Sequence, residues 1–115
     1  MIAVSGPVDL IADAERIALV RNGHAMMPCV TGSGCMLGAV MTAFAAASVN
    51  LSGNLFFEAA LESTAAMGIC GETAWEELQN RNRIPGNAAY RNLLIDAMFD
   101  LTIDDLKQKG RYEIR

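Results

Sequence analysis

Short apolar runs separated by polar turns fill the first twenty-three residues and predict β-strands there. Ile2–Ser5 stops at Gly6-Pro7, which predicts a short buried strand followed by a turn. Val8–Ala12 and Ile17–Val20 are rich in β-branched residues and flank a polar tetrapeptide, so their spacing predicts an antiparallel hairpin. Asn22-Gly23 then predicts a further turn.

A Gly-rich segment divides two apolar runs in the next part of the chain. Met26–Val30 predicts an extended strand, Thr31–Gly34 a turn, and Cys35–Ser48 a helix rich in alanine and glycine. The most apolar stretch, Met36–Val49, is shorter than the roughly 20 residues that a membrane-spanning helix needs. We therefore interpret it as a buried helix that is covered on most of its sides.

Helical spacing of apolar residues begins after the polar break Asn50–Asn54 and continues through Leu55–Gln79, which predicts one long helix. Gly68 and Gly71 lie inside this segment, and each costs about 1 kcal/mol relative to alanine in a helix interior. They indicate either close backbone packing or a break in the helix, and the sequence leaves both alternatives open.

The remaining segment contains signals for two more helices and a strand. After the predicted loop Arg81–Gly86, Asn87 is predicted to cap a third helix. Thr102 precedes acidic residues and is predicted to cap a short last helix that ends at Gly110. Tyr112–Ile114 predicts a closing strand. The order of elements indicates the α/β class.

Composition excludes several classes of function. The 115 residues fit one small domain or part of a larger one. A hydrophobic content of 52% with 19% charged residues excludes intrinsic disorder. The formal net charge is −4 with only 9 lysines and arginines, which disfavours a nucleic acid or an anionic membrane as a partner.

The cysteines point to a reducing compartment. Cys29, Cys35 and Cys70 are odd in number and contain no C-x-x-C pair, and the first residues have no secretory-signal pattern, so we predict a cytoplasmic location. Together with His24 the three cysteines match no zinc-site spacing. We expect Cys29 and Cys70 to pack in the core and His24 to hydrogen-bond the local backbone.

The segment Val30–Cys35 is the strongest candidate for chemistry. A Gly-rich turn that leads into a helix presents free backbone N–H groups and the positive end of the helix dipole, and such a corner binds anions. The P-loop pattern is absent because no lysine follows, and G-x-G-x-x-G fails because Leu37 occupies its last position. On its own the G-x-G pattern is also typical of ordinary turns and helix caps.

Wider sequence context distinguishes these interpretations. The run V-T-G-S-G-C-M-L, preceded by R-N-G-H and before that by A-V-S-G-P-V-D, resembles the hydroxyethylthiazole kinase family, as does the tail I-P-G-N-A-A-Y-R-N-L-L-I-D-A-M-F-D-L-T. Ser33 stands where the family commonly has threonine, and Ala25 where it usually has proline. The resemblance implies a layered α/β/α, ribokinase-like fold. Because family members are more than twice as long, it also implies that residues 1–115 are the C-terminal part of a single kinase domain.

The resemblance also implies roles for individual residues. Ser5 matches a position that binds ATP, and Gly32 matches one that contacts the thiazole substrate. Gly32, Ser33 and Gly34 would form the anion hole that receives the transferred phosphoryl group. Cys35 matches the catalytic position, where most ribokinase-like relatives have aspartate as a base, and the helix N-terminus would favour its thiolate form.

By resemblance, the activity is transfer of the ATP γ-phosphoryl group to the hydroxyl of 4-methyl-5-(2-hydroxyethyl)thiazole in thiamine salvage. ATP and Mg²⁺ would be the cofactors, although no residue here is predicted as a metal ligand, and the assembly would be a homotrimer. Another ribokinase-like kinase, such as a hydroxymethylpyrimidine kinase, is an alternative that Cys35 disfavours. A second alternative is a non-catalytic structural or assembly fragment, which would need the missing N-terminal half of the enzyme as its partner.

Overall fold

The computed structural model describes residues 1–49, 55–81 and 86–115. These contain four strands in one sheet, four α-helices and a short 3₁₀ helix. The predicted polar break Asn50–Asn54 and most of the predicted loop Arg81–Gly86 lie outside the described residues. In chain order the elements are β1 (Ile2–Val4), β2 (Asp9–Ala12), β3 (Ile17–Val20), the 3₁₀ helix (Met27–Cys29), α1 (Ser33–Ser48), α2 (Phe56–Asn80), α3 (Asn87–Asp100), α4 (Ile103–Lys109) and β4 (Tyr112–Ile114).

The sheet is antiparallel and has the strand order β1-β2-β3-β4. The predicted hairpin is confirmed, with Leu10 paired to Leu19 across β2 and β3. The predicted closing strand is also confirmed, because β4 pairs with β3. The expectation that the first strand is buried was wrong: all three residues of β1 are exposed, because this strand forms an edge of the sheet.

Helix α2 covers one face of this sheet. Ile11, Ala18 and Val20 project from the strands onto that face and are fully buried. They pack against the first half of α2, where Phe57 and Leu61 are the largest partners, and Met41 of α1 borders the same cluster. Burial of one side chain of this size contributes roughly 1.5–3 kcal/mol, so the cluster holds the sheet and α2 together.

The predicted long helix is confirmed, and its two glycines allow close packing without a break. A Cβ added at Gly68 would lie 2.6 Å from the backbone of Asn22, and one at Gly71 would lie 2.5 Å from the sulfur of Met27. Both distances are too short for real carbon contacts. The segment that follows β3 therefore lies directly on the backbone of α2. This contact requires glycine at position 68, whereas a side chain at position 71 would displace the flexible end of Met27.

A second core cluster joins α2 to α3. Met67, Cys70 and Leu78 of α2 pack with Tyr90 and Leu94 of α3. The Tyr90 hydroxyl donates to the carbonyl oxygen of Gly71 over 2.8 Å, and no part of this side chain is exposed. Tyr90 therefore joins α3 to α2 in the interior of the chain, with its hydroxyl satisfied by the Gly71 carbonyl.

The predicted strand over Met26–Val30, the predicted burial of Cys29 and the predicted covering of α1 were wrong. Met27–Cys29 forms a 3₁₀ helix and not a strand, since Pro28 has a fixed φ that suits the first turn of a helix. Cys29, expected in the core, is consequently exposed. Helix α1 begins two residues earlier than predicted, and Ser48 is its only buried residue, because α1 packs on α2 along one side only.

Of the two helix caps predicted in the C-terminal part of the chain, the cap of α4 is confirmed and the cap of α3 was wrong. Thr102 caps α4 as predicted and forms a capping box with Asp105, whose side chain accepts from the Thr102 N–H over 3.0 Å. The cap of α3 is Gly86 and not Asn87. The Asn87 amide instead donates to the carbonyl oxygen of Cys29 over 3.2 Å, which ties α3 to the 3₁₀ helix.

Candidate anion-binding site

The Gly-rich turn places the N-terminus of α1 at an open corner of the molecule. Gly32 caps the helix with φ +88°, a left-handed conformation that side-chain-bearing residues rarely adopt. The N–H of Ser33 donates to the carbonyl oxygen of Val30 over 3.1 Å, and the N–H of Met36 closes the first helical turn on the Gly32 carbonyl over 2.9 Å. Glycine is therefore needed at position 32 by backbone geometry alone.

Two backbone donors remain free at this corner. The N–H groups of Gly34 and Cys35 have no acceptor within residues 1–49, 55–81 and 86–115. Both belong to the first turn of a sixteen-residue helix, whose dipole favours an anion there. Of the three residues predicted to form the anion hole, Gly34 supplies a free donor, whereas the Ser33 N–H is already occupied by Val30.

A cavity of about 220 Å³ brings two of the predicted site residues together. Ser5, which follows β1, and Gly34 both line it, and Leu37 and Met41 of α1 form part of its wall. A Cβ added at Gly34 would meet nothing within 4 Å, so the space in front of this residue is open. Ser5 and Gly34 are 29 residues apart in the sequence. They meet at one site because the edge strand β1 lies beside the start of α1.

Cys35 carries an exposed, free thiol but is not among the residues that line this cavity. It is the third residue of α1, directly after Gly34, so its side chain and the free N–H groups belong to the same helical turn. Cys70 is also free but fully buried as expected, and burial raises the pKa of its thiol to about 11. The described structure therefore separates an accessible thiol at the candidate site from an inert one in the core.

One carboxylate, that of Asp9, belongs to the described lining of the candidate site. It lines the same cavity, and its Oδ1 accepts from the N–H of Gly6 over 2.9 Å. Partial burial raises the pKa of Asp9, while the Gly6 hydrogen bond acts in the opposite direction. Asp13 accepts from the N–H of Glu15 over 2.9 Å, so both acids stabilise turns.

The segment that leads into the Gly-rich turn is held by an aromatic stack. His24 lies on Trp75 of α2, with ring centroids 4.4 Å apart and planes 18° from parallel. The Nδ1 atom of His24 accepts from the N–H of Met26 over 3.1 Å, so a neutral ring carries its proton on Nε2. The predicted local hydrogen bond of His24 is thus confirmed.

A polar cluster that sequence reasoning missed fixes the start of the same segment. The Gly23 N–H donates to Oε1 of Glu72 over 2.7 Å, and the Arg111 guanidinium donates to the same carboxylate over 2.6 Å. Asn22 is almost fully buried, accepts from the Arg111 N–H and donates to the carbonyl of Lys109. Asn22 and Glu72 are 50 residues apart, so no local pattern could reveal the contact.

A larger cavity of about 430 Å³ lies elsewhere, between α2, α3 and α4. Cys70, Leu93 and Asp105 are among its lining residues, and none of the predicted site residues reaches it. In the described ranges no group of three or more histidine, cysteine or acidic side chains is placed to hold a metal ion. None of the described helices has the length and apolar character needed to cross a membrane.

Comparison with known proteins identifies the family of this chain. A profile of the hydroxyethylthiazole kinase family matches residues 1–104. A hydroxyethylthiazole kinase of Clostridium acetobutylicum is 43% identical over 98% of this chain and 39% of its own length. Hydroxyethylthiazole kinase 1 of Methanosphaera stadtmanae is 42% identical over 87% of this chain and 32% of its own length.

The fold has a solved counterpart as well. The structure of a hydroxyethylthiazole kinase from Pyrococcus horikoshii superimposes with a TM-score of 0.77 and 28% identity, covering 98% of this chain and 40% of that one. The α/β architecture is therefore that of part of a ribokinase-like kinase. The chain belongs to the hydroxyethylthiazole kinase family. It spans about two fifths of the length of the C. acetobutylicum relative.

Proposed function

We propose that this chain is the C-terminal part of a kinase that phosphorylates the hydroxyl of 4-methyl-5-(2-hydroxyethyl)thiazole with ATP. The observation that carries the proposal is the pair of free N–H groups of Gly34 and Cys35 at the start of α1, in a chain of this family. Charge that develops on the transferred phosphoryl group needs such preorganised donors. The substrate is inferred from the relatives, which are hydroxyethylthiazole kinases.

Within this proposal each residue of the site has a defined part. Gly32 shapes the turn and approaches the thiazole alcohol, while the N–H groups of Gly34 and Cys35 bind the phosphoryl oxygens. The thiol of Cys35 accepts the proton of the substrate hydroxyl. Ser5 lines the same cavity and binds ATP. Ser33 contributes to the shape of the turn, since its own N–H is already occupied.

Mg²⁺ and the rest of the nucleotide site belong to the part of the kinase that this chain does not span. Mg²⁺ prefers carboxylate, substrate phosphate and water oxygens, and it would neutralise charge on the phosphates of ATP. We place its ligands in the N-terminal part, as we do most of the ATP site. The homotrimer that the resemblance implies and the cytoplasmic location predicted from the cysteines also stay predictions.

The proposal is tested by the choice of substrate of a complemented enzyme, by which we mean this chain together with the N-terminal part of a related kinase. The chain is co-expressed with the N-terminal part of the C. acetobutylicum relative, and transfer from ATP is measured to the thiazole alcohol and to hydroxymethylpyrimidine. We expect phosphorylation of the thiazole alcohol and little of the pyrimidine. Preference for the pyrimidine would support the related kinase, and an associated but inactive complex would support an assembly fragment.

A further inference from the structure

The segment that carries the Gly-rich turn is anchored on α2 at its start. A Cβ added at Gly68 would overlap the backbone of Asn22, so the segment lies against the helix with no room to move closer. One helical turn further along α2, Oε1 of Glu72 accepts from the N–H of Gly23 over 2.7 Å. Gly23 has φ +139°, a conformation that residues with side chains rarely adopt. Glu72 therefore holds the segment at the residue where the chain turns after β3.

Arg111, which directly precedes β4, holds the Glu72 carboxylate in turn. Its guanidinium donates to Oε1 over 2.6 Å and to Oε2 over 3.1 Å, so the ion pair is bidentate. Oδ1 of Asn22 accepts from the Arg111 N–H over 2.7 Å, and Nδ2 of Asn22 donates to the Lys109 carbonyl oxygen over 2.9 Å. Asn22 is only 5% exposed, so these two hydrogen bonds are shielded from water. The C-terminal segment thus fixes the orientation of Glu72.

Overlapping backbone hydrogen bonds connect this anchor to the anion corner. In each of them an N–H group donates to the carbonyl oxygen three residues earlier over 3.0 to 3.1 Å: Met27 to His24, Cys29 to Met26, Val30 to Met27 and Ser33 to Val30. The last of these turns ends directly before the free N–H groups of Gly34 and Cys35. A displacement of Gly23 is therefore passed along the segment to those two donors.

We propose that Glu72 is a positioning residue of the anion site, which it holds in place through Gly23. This inference rests on the proposed function for the reaction that the site performs. Glu72 is not among the described residues that line the cavity at Gly34, so it acts on the backbone donors and not on a substrate. A donor misplaced by about 1 Å costs on the order of 10²-fold in rate. Loss of the Glu72 contact should therefore lower kcat and leave KM nearly unchanged.

Two substitutions at position 72 of the complemented enzyme test the proposal. Glu72→Ala removes the acceptor of the Gly23 N–H and should lower kcat about 10- to 100-fold, with KM for ATP and for the thiazole alcohol within about twofold. Glu72→Gln keeps an oxygen that accepts from Gly23 and should recover most of kcat.

Glu58→Ala is the matched control for a lost ion pair on the same helix. Glu58 also belongs to α2 and also accepts from an arginine, but its partner Arg16 lies in the turn between β2 and β3. The Glu58→Ala enzyme should keep kcat close to that of the unsubstituted enzyme. Equal losses of kcat in the Glu58→Ala and Glu72→Ala enzymes would reflect a general loss of stability and would overturn the proposal.

Hydrogen exchange of the same complexes, measured by mass spectrometry, gives a readout that does not need activity. Peptides from residues 23–36 should exchange faster in the Glu72→Ala complex than in the unsubstituted, Glu72→Gln and Glu58→Ala complexes. If the Glu72→Ala chain does not fold, Arg111→Ala replaces it. That variant frees the carboxylate but keeps it, so kcat should fall only about two- to fivefold with KM unchanged.

The two readouts separate failure of this inference from failure of the proposed function. A lower kcat with unchanged KM, recovered by glutamine and accompanied by faster exchange of residues 23–36, supports the positioning role. Normal kcat in the Glu72→Ala enzyme, or in the Arg111→Ala enzyme where that replaces it, overturns the role. An unsubstituted complex without kinase activity contradicts the proposed function alone. In that case faster exchange in the alanine variant supports the role of Glu72, and unchanged exchange overturns it.

Discussion

At the scale of single residues, Gly34 offers a direct test of the anion site. Its N–H is free, and a Cβ added at this position meets nothing within 4 Å, so Gly34→Val should hinder the approach of a phosphoryl oxygen without a clash inside the chain. We expect kcat of the complemented enzyme to fall by about 10²–10³, the loss typical of an oxyanion donor. Steady-state kinetics with the thiazole alcohol and Mg-ATP measure the effect.

A matched control separates this loss from a general effect on helices. Ala88 is exposed and is the second residue of α3, as Gly34 is of α1. Ala88→Val should therefore leave kcat close to that of the unsubstituted enzyme. Near-normal kcat in the Gly34→Val enzyme would show that the phosphoryl group binds elsewhere.

Cys35 is the second residue whose proposed role has a kinetic signature. Loose phosphoryl transfer depends more on positioning and electrostatics than on a base, so Cys35→Ala should retain some activity. We expect kcat to fall by the roughly 10²–10⁴ of one acid–base group, with KM for ATP nearly unchanged. Cys35→Asp should keep measurable activity, because a carboxylate also benefits from the helix dipole.

The exposed thiol of Cys29 provides the control for Cys35. It lies in the 3₁₀ helix six residues earlier, and the proposal gives its side chain no role, so Cys29→Ala should be nearly as active as the unsubstituted enzyme. An alanine variant at position 35 with full activity would remove Cys35 from the mechanism. An inactive Cys35→Asp variant together with an active Cys35→Ala variant would mean that repulsion between the added negative charge and the phosphoryl group outweighs the gain of a base.

At the scale of elements, the packing of α2 depends on its glycines. Gly68→Ala forces a Cβ against the Asn22 backbone and should destabilise the fold by about 1–3 kcal/mol. Gly38→Ala in α1 meets nothing within 4 Å and should stabilise it by about 0.5–1 kcal/mol. Urea denaturation of both variants measures the difference. Similar stabilities would contradict the close contact between α2 and the segment after β3.

The contact between α2 and α3 predicts a dependence of stability on alkaline pH. Burial raises the pKa of Tyr90 to about 12, above its ordinary value near 10. Below pH 10 both folded and unfolded chains keep this proton, but between pH 10 and 12 the unfolded chain releases it first. Stability should therefore fall as pH rises through this window, and Tyr90→Phe should reduce the fall in Tm.

The same experiment contains its own controls. Burial also raises the pKa of Cys70 to about 11, so this thiol adds its own loss of stability over a partly overlapping pH range. That loss is the same in the unsubstituted chain and in the Tyr90→Phe variant. Tyr112 is 51% exposed, so Tyr112→Phe should leave the alkaline fall unchanged. Near neutral pH, Tyr90→Phe should cost about 1 kcal/mol, because the Gly71 carbonyl loses its hydrogen bond. An alkaline transition identical in the Tyr90 variant would contradict the assignment.

Local signals explain which elements the sequence predicts correctly. The β2–β3 hairpin, the long helix and the Thr102 cap depend on alternation, helical periodicity and capping chemistry within a few residues, and all are confirmed. Met26–Val30 failed because a short apolar run fits a strand or a turn of helix equally well, and Pro28 favours the latter. The burial of α1 depends on which neighbours cover it, and composition cannot supply that.

Local signals likewise reveal only part of the candidate site. Gly32, Gly34 and Cys35 are adjacent in sequence, so their shared turn is readable from the motif. Ser5 joins them only because the edge of the sheet lies beside the start of α1, and the resemblance rather than the pattern pointed to it. The Asn22, Glu72 and Arg111 cluster connects three distant segments, so only the folded chain brings these residues together.

At the scale of the whole molecule, the open surfaces predict that the chain alone is not an active kinase. Phosphoryl transfer requires the metal, both substrates and the anion site to be held together, and positioning contributes a large part of the rate. The described residues supply the anion corner and one wall of a cavity but no cluster of metal ligands. The purified 115-residue chain should therefore transfer no phosphate from Mg-ATP to the thiazole alcohol above background.

Co-expression with the N-terminal part of the C. acetobutylicum relative should restore turnover, and the restored activity should fail when the chain carries Gly34→Val. That variant serves as the control, because the added side chain meets nothing within 4 Å of its Cβ but hinders access to the anion site. Robust phosphorylation by the isolated chain, persisting after contaminating kinases are removed and abolished by Gly34→Val, would show that residues 1–115 hold a complete site. The metal and nucleotide ligands would then have to come from this chain, which would contradict their placement in the N-terminal part.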